Sequence, residues 1–321
     1  MYNFKPMRGF RRPYLGLAAV AAVAACGPAA IAPRATVPGV DPLSGRLAAV
    51  DVDLAGADLS SVRGPAGTLL TNAAVDSGRI LGGQPPDCSL RRLPGGTQAA
   101  LSARCAAFLG AYAALDRARS FLLSAGAEAL PPAPVLADPA LRGEAAPAGL
   151  RYLPVLDAFT LVVGPPGARV PAALNPGAVA HEAALRQLRG LLEPRPDDAA
   201  GVALFLGATA SGDAAYRAAS APEGDPRGEL DLSRPLPPDA APSDVLAGAL
   251  WAWADASGDT VGAARAALAA ARALQGSAGA DGGSGPATLL SLVAGQLVGA
   301  ERDQACAVFR ARAAGHIPAC P

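Results

Sequence analysis

The 321-residue chain balances 27 Lys and Arg against 27 Asp and Glu, is 51% hydrophobic, and contains only two histidines. Residues 1–25 hold four of the cations and no anion, so the remainder stands at 23 against 27, a net charge of −4 that argues against a nucleic-acid partner. Two histidines also leave little material for a histidine base or a histidine metal cage.

Lys5, Arg8, Arg11 and Arg12 precede an uncharged apolar run over residues 15–25, the pattern of a secretory signal peptide. The run is 11 residues long, well short of the roughly 18 needed for a membrane-crossing helix. It ends Val23-Ala24-Ala25-Cys26-Gly27, which resembles the lipobox of bacterial lipoproteins and implies cleavage before Cys26 and lipidation of its thiol. Each acyl chain would add about 0.8 kcal/mol per buried CH₂, so several together anchor stably. Gly27 after the cysteine, by likeness to enterobacterial lipoprotein sorting, favours the outer membrane. Exported chains meet an oxidising compartment, where Cys88, Cys105, Cys306 and Cys320 are expected to form two disulfides. Three connectivities are open, and proximity favours Cys88 with Cys105 and Cys306 with Cys320.

Residues 26–45, rich in Pro, Ala and Gly without apolar periodicity, suggest a flexible tether. Alternation over residues 47–54 and 68–81 predicts two or three strands. Helical spacing of Leu101, Cys105, Phe108, Leu109, Tyr112 and Leu115 predicts one long helix or a broken pair within residues 97–125. The five prolines of residues 130–149 predict irregular chain, and residues 150–163 read as extended. Four helices are expected at 176–192, 199–210, 243–256 and 260–274, with a last pair across 287–314, and a flexible loop at 276–285. The sum is an α+β fold of two lobes, residues 46–170 and 171–321.

Asn175-Pro176-Gly177-Ala178-Val179-Ala180-His181-Glu182-Ala183-Ala184-Leu185 resembles the active-site helix of gluzincin metallopeptidases, the thermolysin and fungalysin group, around H-E-x-x-H. Other stretches fall in the group's order. Tyr112-Ala113-Ala114-Leu115-Asp116 resembles its long helix, Tyr152-Leu153-Pro154-Val155 the strand before the motif, and Gly201-Val202-Ala203-Leu204-Phe205 with Ser211-Gly212-Asp213 the following helix and turn. Ala247-Gly248-Ala249-Leu250-Trp251 resembles a C-terminal helix of the group. The resemblance covers most of the chain after Ala100 and implies a two-lobed peptidase-like fold.

In that group two histidines one helical turn apart and a Glu from the next helix cage Zn²⁺. Here Leu185 stands at the second histidine position and Ala200 at the third ligand, so His181 and Glu182 are left as a vestigial motif with no metal and no cofactor expected. Glu182, by resemblance the general base, would lack a metal-bound water to activate. Glu193, Asp197 and Asp198 could be proposed as substitute ligands, but read better as a solvated loop. Trp251 and Trp253 could line a groove, but read better as core. No G-x-S-x-G or P-loop appears. The expectation is a lipid-anchored envelope protein with an inactive zinc-peptidase-like domain that binds or scaffolds a peptide or protein. The alternative is a divergent zinc peptidase with non-standard ligands.

Overall fold

The computed structural model describes residues 32–41, 44, 46–141, 148–162, 170–193, 195–220, 230–275, 285–313 and 317–320. Cys26, His316, the signal region and most of the loop expected at 276–285 lie outside them.

The first sheet is built on β1 (Arg34–Val40), which pairs antiparallel with β2 (Leu47–Asp53) along all seven residues. On its other side β1 runs parallel to β7 (Gln98–Ala100), which pairs with β6 (Leu90–Arg92). This corrects the tether expected over residues 26–45: Ala35 and Val37 point into the core at 0% and 2% exposure. Prolines and glycines disguised the strand. Pro38 cannot donate a ladder hydrogen bond, but β7 reaches only Ala35 and Thr36, so Pro38 sits where no described strand needs its donor.

The second sheet runs β10-β11-β8-β4-β3, formed by β3 (Arg63–Gly64), β4 (Gly67–Asp76), β8 (Ala133–Ala137), β10 (Gly149–Leu153) and β11 (Ala158–Val162). The strands β5 (Arg79–Gln84) and β9 (Ala140–Leu141) pair with the outer half of β4. Within the proline-rich segment expected to be irregular, β8 is a central strand, parallel to both β4 and β11. Its Ala-Pro-Val-Leu-Ala run is short, apolar and buried, as a strand enclosed by parallel neighbours should be.

One continuous helix, α1 (Ala103–Ser124), follows; the Ser102 hydroxyl caps it by accepting from the Cys105 N–H at 3.1 Å. It presses on β1 at Gly110, where an added Cβ would lie 2.5 Å from the Pro38 carbonyl oxygen. The remaining helices match their expected places closely: α2 (Pro176–Leu192), α3 (Pro196–Ser211), α4 (Pro242–Ser257), α5 (Thr260–Gln275), α6 (Pro286–Gln296) and α7 (Gly299–Arg312). They bury small-residue faces of Ala and Leu against one another. Residues 33–321 form one unit of contacts, with α2 packed on α1, on β10 and on α3.

Cys88–Cys105 ties the segment before β6 to the first turn of α1, and Cys306–Cys320 ties α7 to the C-terminal tail. These are the pairings that proximity favoured. They span 17 and 14 positions, and loop-closure entropy for such lengths is worth about 3 kcal/mol each. Two disulfides are consistent with an extracytoplasmic location. Among the described residues no helix is long and apolar enough to cross a membrane.

Candidate functional site

The H-E-A-A-L segment, His181 to Leu185, lies in the second and third turns of α2. Asn175 caps this helix, its Oδ1 accepting from the N–H groups of Gly177 and Ala178 at 3.0 and 3.3 Å, and Pro176 fits the first helical position. The Asn175 amide also donates to the Tyr216 carbonyl at 2.6 Å and the Ser220 hydroxyl at 2.7 Å, which fixes where the helix starts. Tyr216 wedges between α2 and α3. A Cβ on Gly177 would lie 2.5 Å from the Tyr216 ring, and one on Gly207 3.1 Å from its far end. Burial pushes the Tyr216 phenol up to about 12, against the opposing pull of the neighbouring Arg217.

Glu182 is 4% exposed and fully engaged. One carboxylate oxygen accepts from the Tyr152 backbone N–H at 2.9 Å, and the other accepts from Arg151 Nη1 at 3.0 Å. His181 Nδ1 lies 3.4 Å from that second oxygen. Burial opposes ionisation of Glu182, but His181, the Tyr152 N–H and Arg151 together outweigh it and hold the carboxyl below its usual range. The carboxylate thus fastens α2 to β10 instead of facing open solvent.

The same helix face continues the clamp. Arg186 Nε and Nη2 both donate to Asp157 at 2.9 Å, a bidentate pair, and Arg189 Nη1 approaches the Tyr152 hydroxyl at 3.4 Å. The Tyr152 hydroxyl in turn donates to Asp157 Oδ1 at 3.0 Å. Asp157 occupies the left-handed region, φ 46°, at the turn joining β10 to β11. The hydrogen bond from Arg186 is the main cause that keeps its carboxyl below the usual range. Sequence reading missed this set. Its signal was the polar spacing of Glu182, Arg186 and Arg189 at i, i+4 and i+7, one helix stripe.

The other expected site residues do not gather around His181. Leu185 packs half-buried against the core, and Ala200 is half-buried in the first turns of α3. Asp198 is not a solvated loop residue as expected: it is 2% exposed in the first turn of α3, and burial raises its carboxyl above the usual range. Glu193 and Asp197 are exposed. Among the described residues no three His, Cys, Asp or Glu side chains converge in a way that could hold a metal ion. Trp253 is core, its ring edge-on to Phe309 with centroids 5.8 Å apart, and Trp251, two positions earlier on the same helix, is half-buried against the core.

What this arrangement can do chemically is narrow. It offers one imidazole, a carboxylate already committed to an amide and a guanidinium, and no second ligand across the helical turn. Compared with protein-family models and with curated proteins, the chain matches none.

Proposed function

We propose that the chain is a lipid-anchored envelope protein, carried on Cys26, whose gluzincin-like two-lobed body is catalytically inactive and binds or scaffolds a peptide or protein. The observation that carries the inactive reading is the bonding of Glu182. A general base must reach the water it deprotonates within about 3 Å, whereas both oxygens of Glu182 are held by Arg151 and the Tyr152 N–H. The donor set points the same way: a zinc peptidase site takes three protein ligands and keeps one open position, and Leu185 and Ala200 occupy two of those places. The anionic balance after residue 25 disfavours a nucleic-acid partner.

The test uses the full chain, expressed with its N-terminal region in a bacterial host and purified in detergent. Zinc is expected well below one atom per chain, with no cleavage of a mixed-sequence peptide library above a protein-free blank. Metabolic labelling with a fatty acid is expected to mark the protein and to fail for Cys26→Ser. Stoichiometric zinc, or cleavage that a chelator abolishes, would replace this reading with the divergent-peptidase alternative. Labelling that survives Cys26→Ser would remove the anchor.

A further inference from the structure

The outer strand of the first sheet is β2, and the phase of its free edge is fixed by two backbone bonds. The Leu54 N–H donates to the Pro33 carbonyl and the Asp41 N–H to the Arg46 carbonyl, so the even-numbered residues from Arg46 to Leu54 turn their backbone groups to β1. Alternation along an antiparallel ladder turns Leu47, Ala49, Asp51 and Asp53 the other way. Among the described residues nothing pairs with their four N–H groups or their four carbonyls. Native edges are commonly blunted by a proline, a bulge, a lysine or a short strand. The seven residues of β2 pair with β1 without a slip and carry none of these devices.

The two faces beside that edge differ. On one, Asp53 pairs with Arg34 at 3.0 Å, whereas Asp51 accepts from the Thr36 hydroxyl, a neutral donor. Both carboxylates thus lean across to β1 and leave the edge open, and Asp51 keeps its negative charge. Of the other charges nearby, Asp41 and Arg46 stand opposite each other at the end of the ladder. On the second face, half-buried Val50 and Val52 line a shallow groove of about 300 Å³ with Ala113, Ala114 and Arg117 of α1. A strand added at the edge would set alternate side chains against Val50 and Val52, and the rest beside Asp51 and Asp53, with directly opposed residues about 5 Å apart.

A second copy of β2 fits less well. The register that uses all four outward positions sets Leu47 opposite the Asp53 of the other copy and brings the two Asp51 side chains to a diagonal, with no cation opposite either. A strand carrying a cation there has no such conflict.

We propose that the β2 edge takes an extended segment of a partner protein by strand addition, apolar towards Val50 and Val52 and basic towards Asp51. This rests on the binding reading above and gives that binding a place; zinc or cleavage found with the chain would leave it intact.

Calorimetric titration of the full chain with the peptide acetyl-Thr-Val-Lys-Val-Lys-Val-Thr-amide tests it. Saturable binding is expected at roughly 0.1 mM, within reach of a short peptide that must be ordered on binding. The same peptide with glutamate for lysine should bind at least threefold more weakly at low salt, a gap that closes as salt screens Asp51. Methylating the backbone nitrogens of the two lysines, which would face β2, should weaken binding at least tenfold. So should Ala49→Pro, which removes an outward N–H and none that β1 uses. If Ala49→Pro melts early, the methylated peptide on the unsubstituted chain decides. Equal binding of the lysine and glutamate peptides, or no saturable binding, overturns the proposal. Binding that neither methylation nor a folded Ala49→Pro weakens overturns this edge while leaving the scaffold reading in place. Self-association of the chain that Ala49→Pro abolishes would give the edge to a second copy and overturn the partner assignment.

Discussion

Deleting residues 27–43 is expected to abolish cooperative folding of the body. Thermal and urea unfolding followed by circular dichroism would show a broad, sloping signal where the full chain gives one transition. The loss would include β1, the inner strand that carries Ala35 and Val37 into the core and holds β2 along its whole length. No other described strand pairs with β2, so the first sheet would shrink to the two short strands β6 and β7. A two-stranded ribbon is marginal in water. The α1 face at Gly110 would lose its cover as well. Burial of one Val contributes about 1.5–3 kcal/mol, and with the lost pairing the total should exceed about 5 kcal/mol, comparable to the whole stability of a typical domain. A deletion that left the midpoint unchanged would restore the tether.

Replacing Glu182 by Ala is expected to cost about 2–4 kcal/mol, because a buried N–H loses its acceptor and a cavity opens. Arg151 is half-exposed and can turn to water, which keeps the cost below that of breaking a fully buried ion pair. Glu182→Gln retains an acceptor for Tyr152 N–H but no charge for Arg151, and should cost about 1–2 kcal/mol. The difference between wild type and Glu182→Gln also has a defined pH course. The folded carboxyl lies below its usual range, so the extra stability is fully present above the unfolded value near ~4.3 and is lost as pH falls through the folded value. Urea unfolding at pH 7 and pH 5 should therefore give the same difference, and pH 3 a smaller one. A residue retained only for chemistry tends to be a burden on stability. Glu182→Gln as stable as wild type at neutral pH would show that the clamp contributes nothing.

The helical half was legible because its signals are local. Asn175 and Pro176 announce the start of α2, and Ala-Leu periodicity marks α3 to α7 within a few residues of their observed ends. Both disulfides followed from short separation in the chain. What escaped was set by tertiary partners. Pro38 and Gly39 made β1 look like a linker, and Pro131, Pro132 and Pro134 hid β8, although a proline at the second position of a buried strand removes only one donor. At the site, the absence of a second imidazole across the turn could be read from Leu185 alone. The engagement of Glu182 could not, because Tyr152 and Arg151 stand 30 and 31 residues away in sequence.

Arg186 belongs to two neighbourhoods at once. Its guanidinium is seated on the left-handed Asp157 of the β10–β11 turn, while its body forms part of an open cleft between α1 and α2, beside Arg119. The turn thus acts as a remote fastening for the pocket lining. Freed from Asp157, that cation would be at liberty to swing away from the turn, so a change at the tip of a hairpin would loosen one wall of the cleft from a distance.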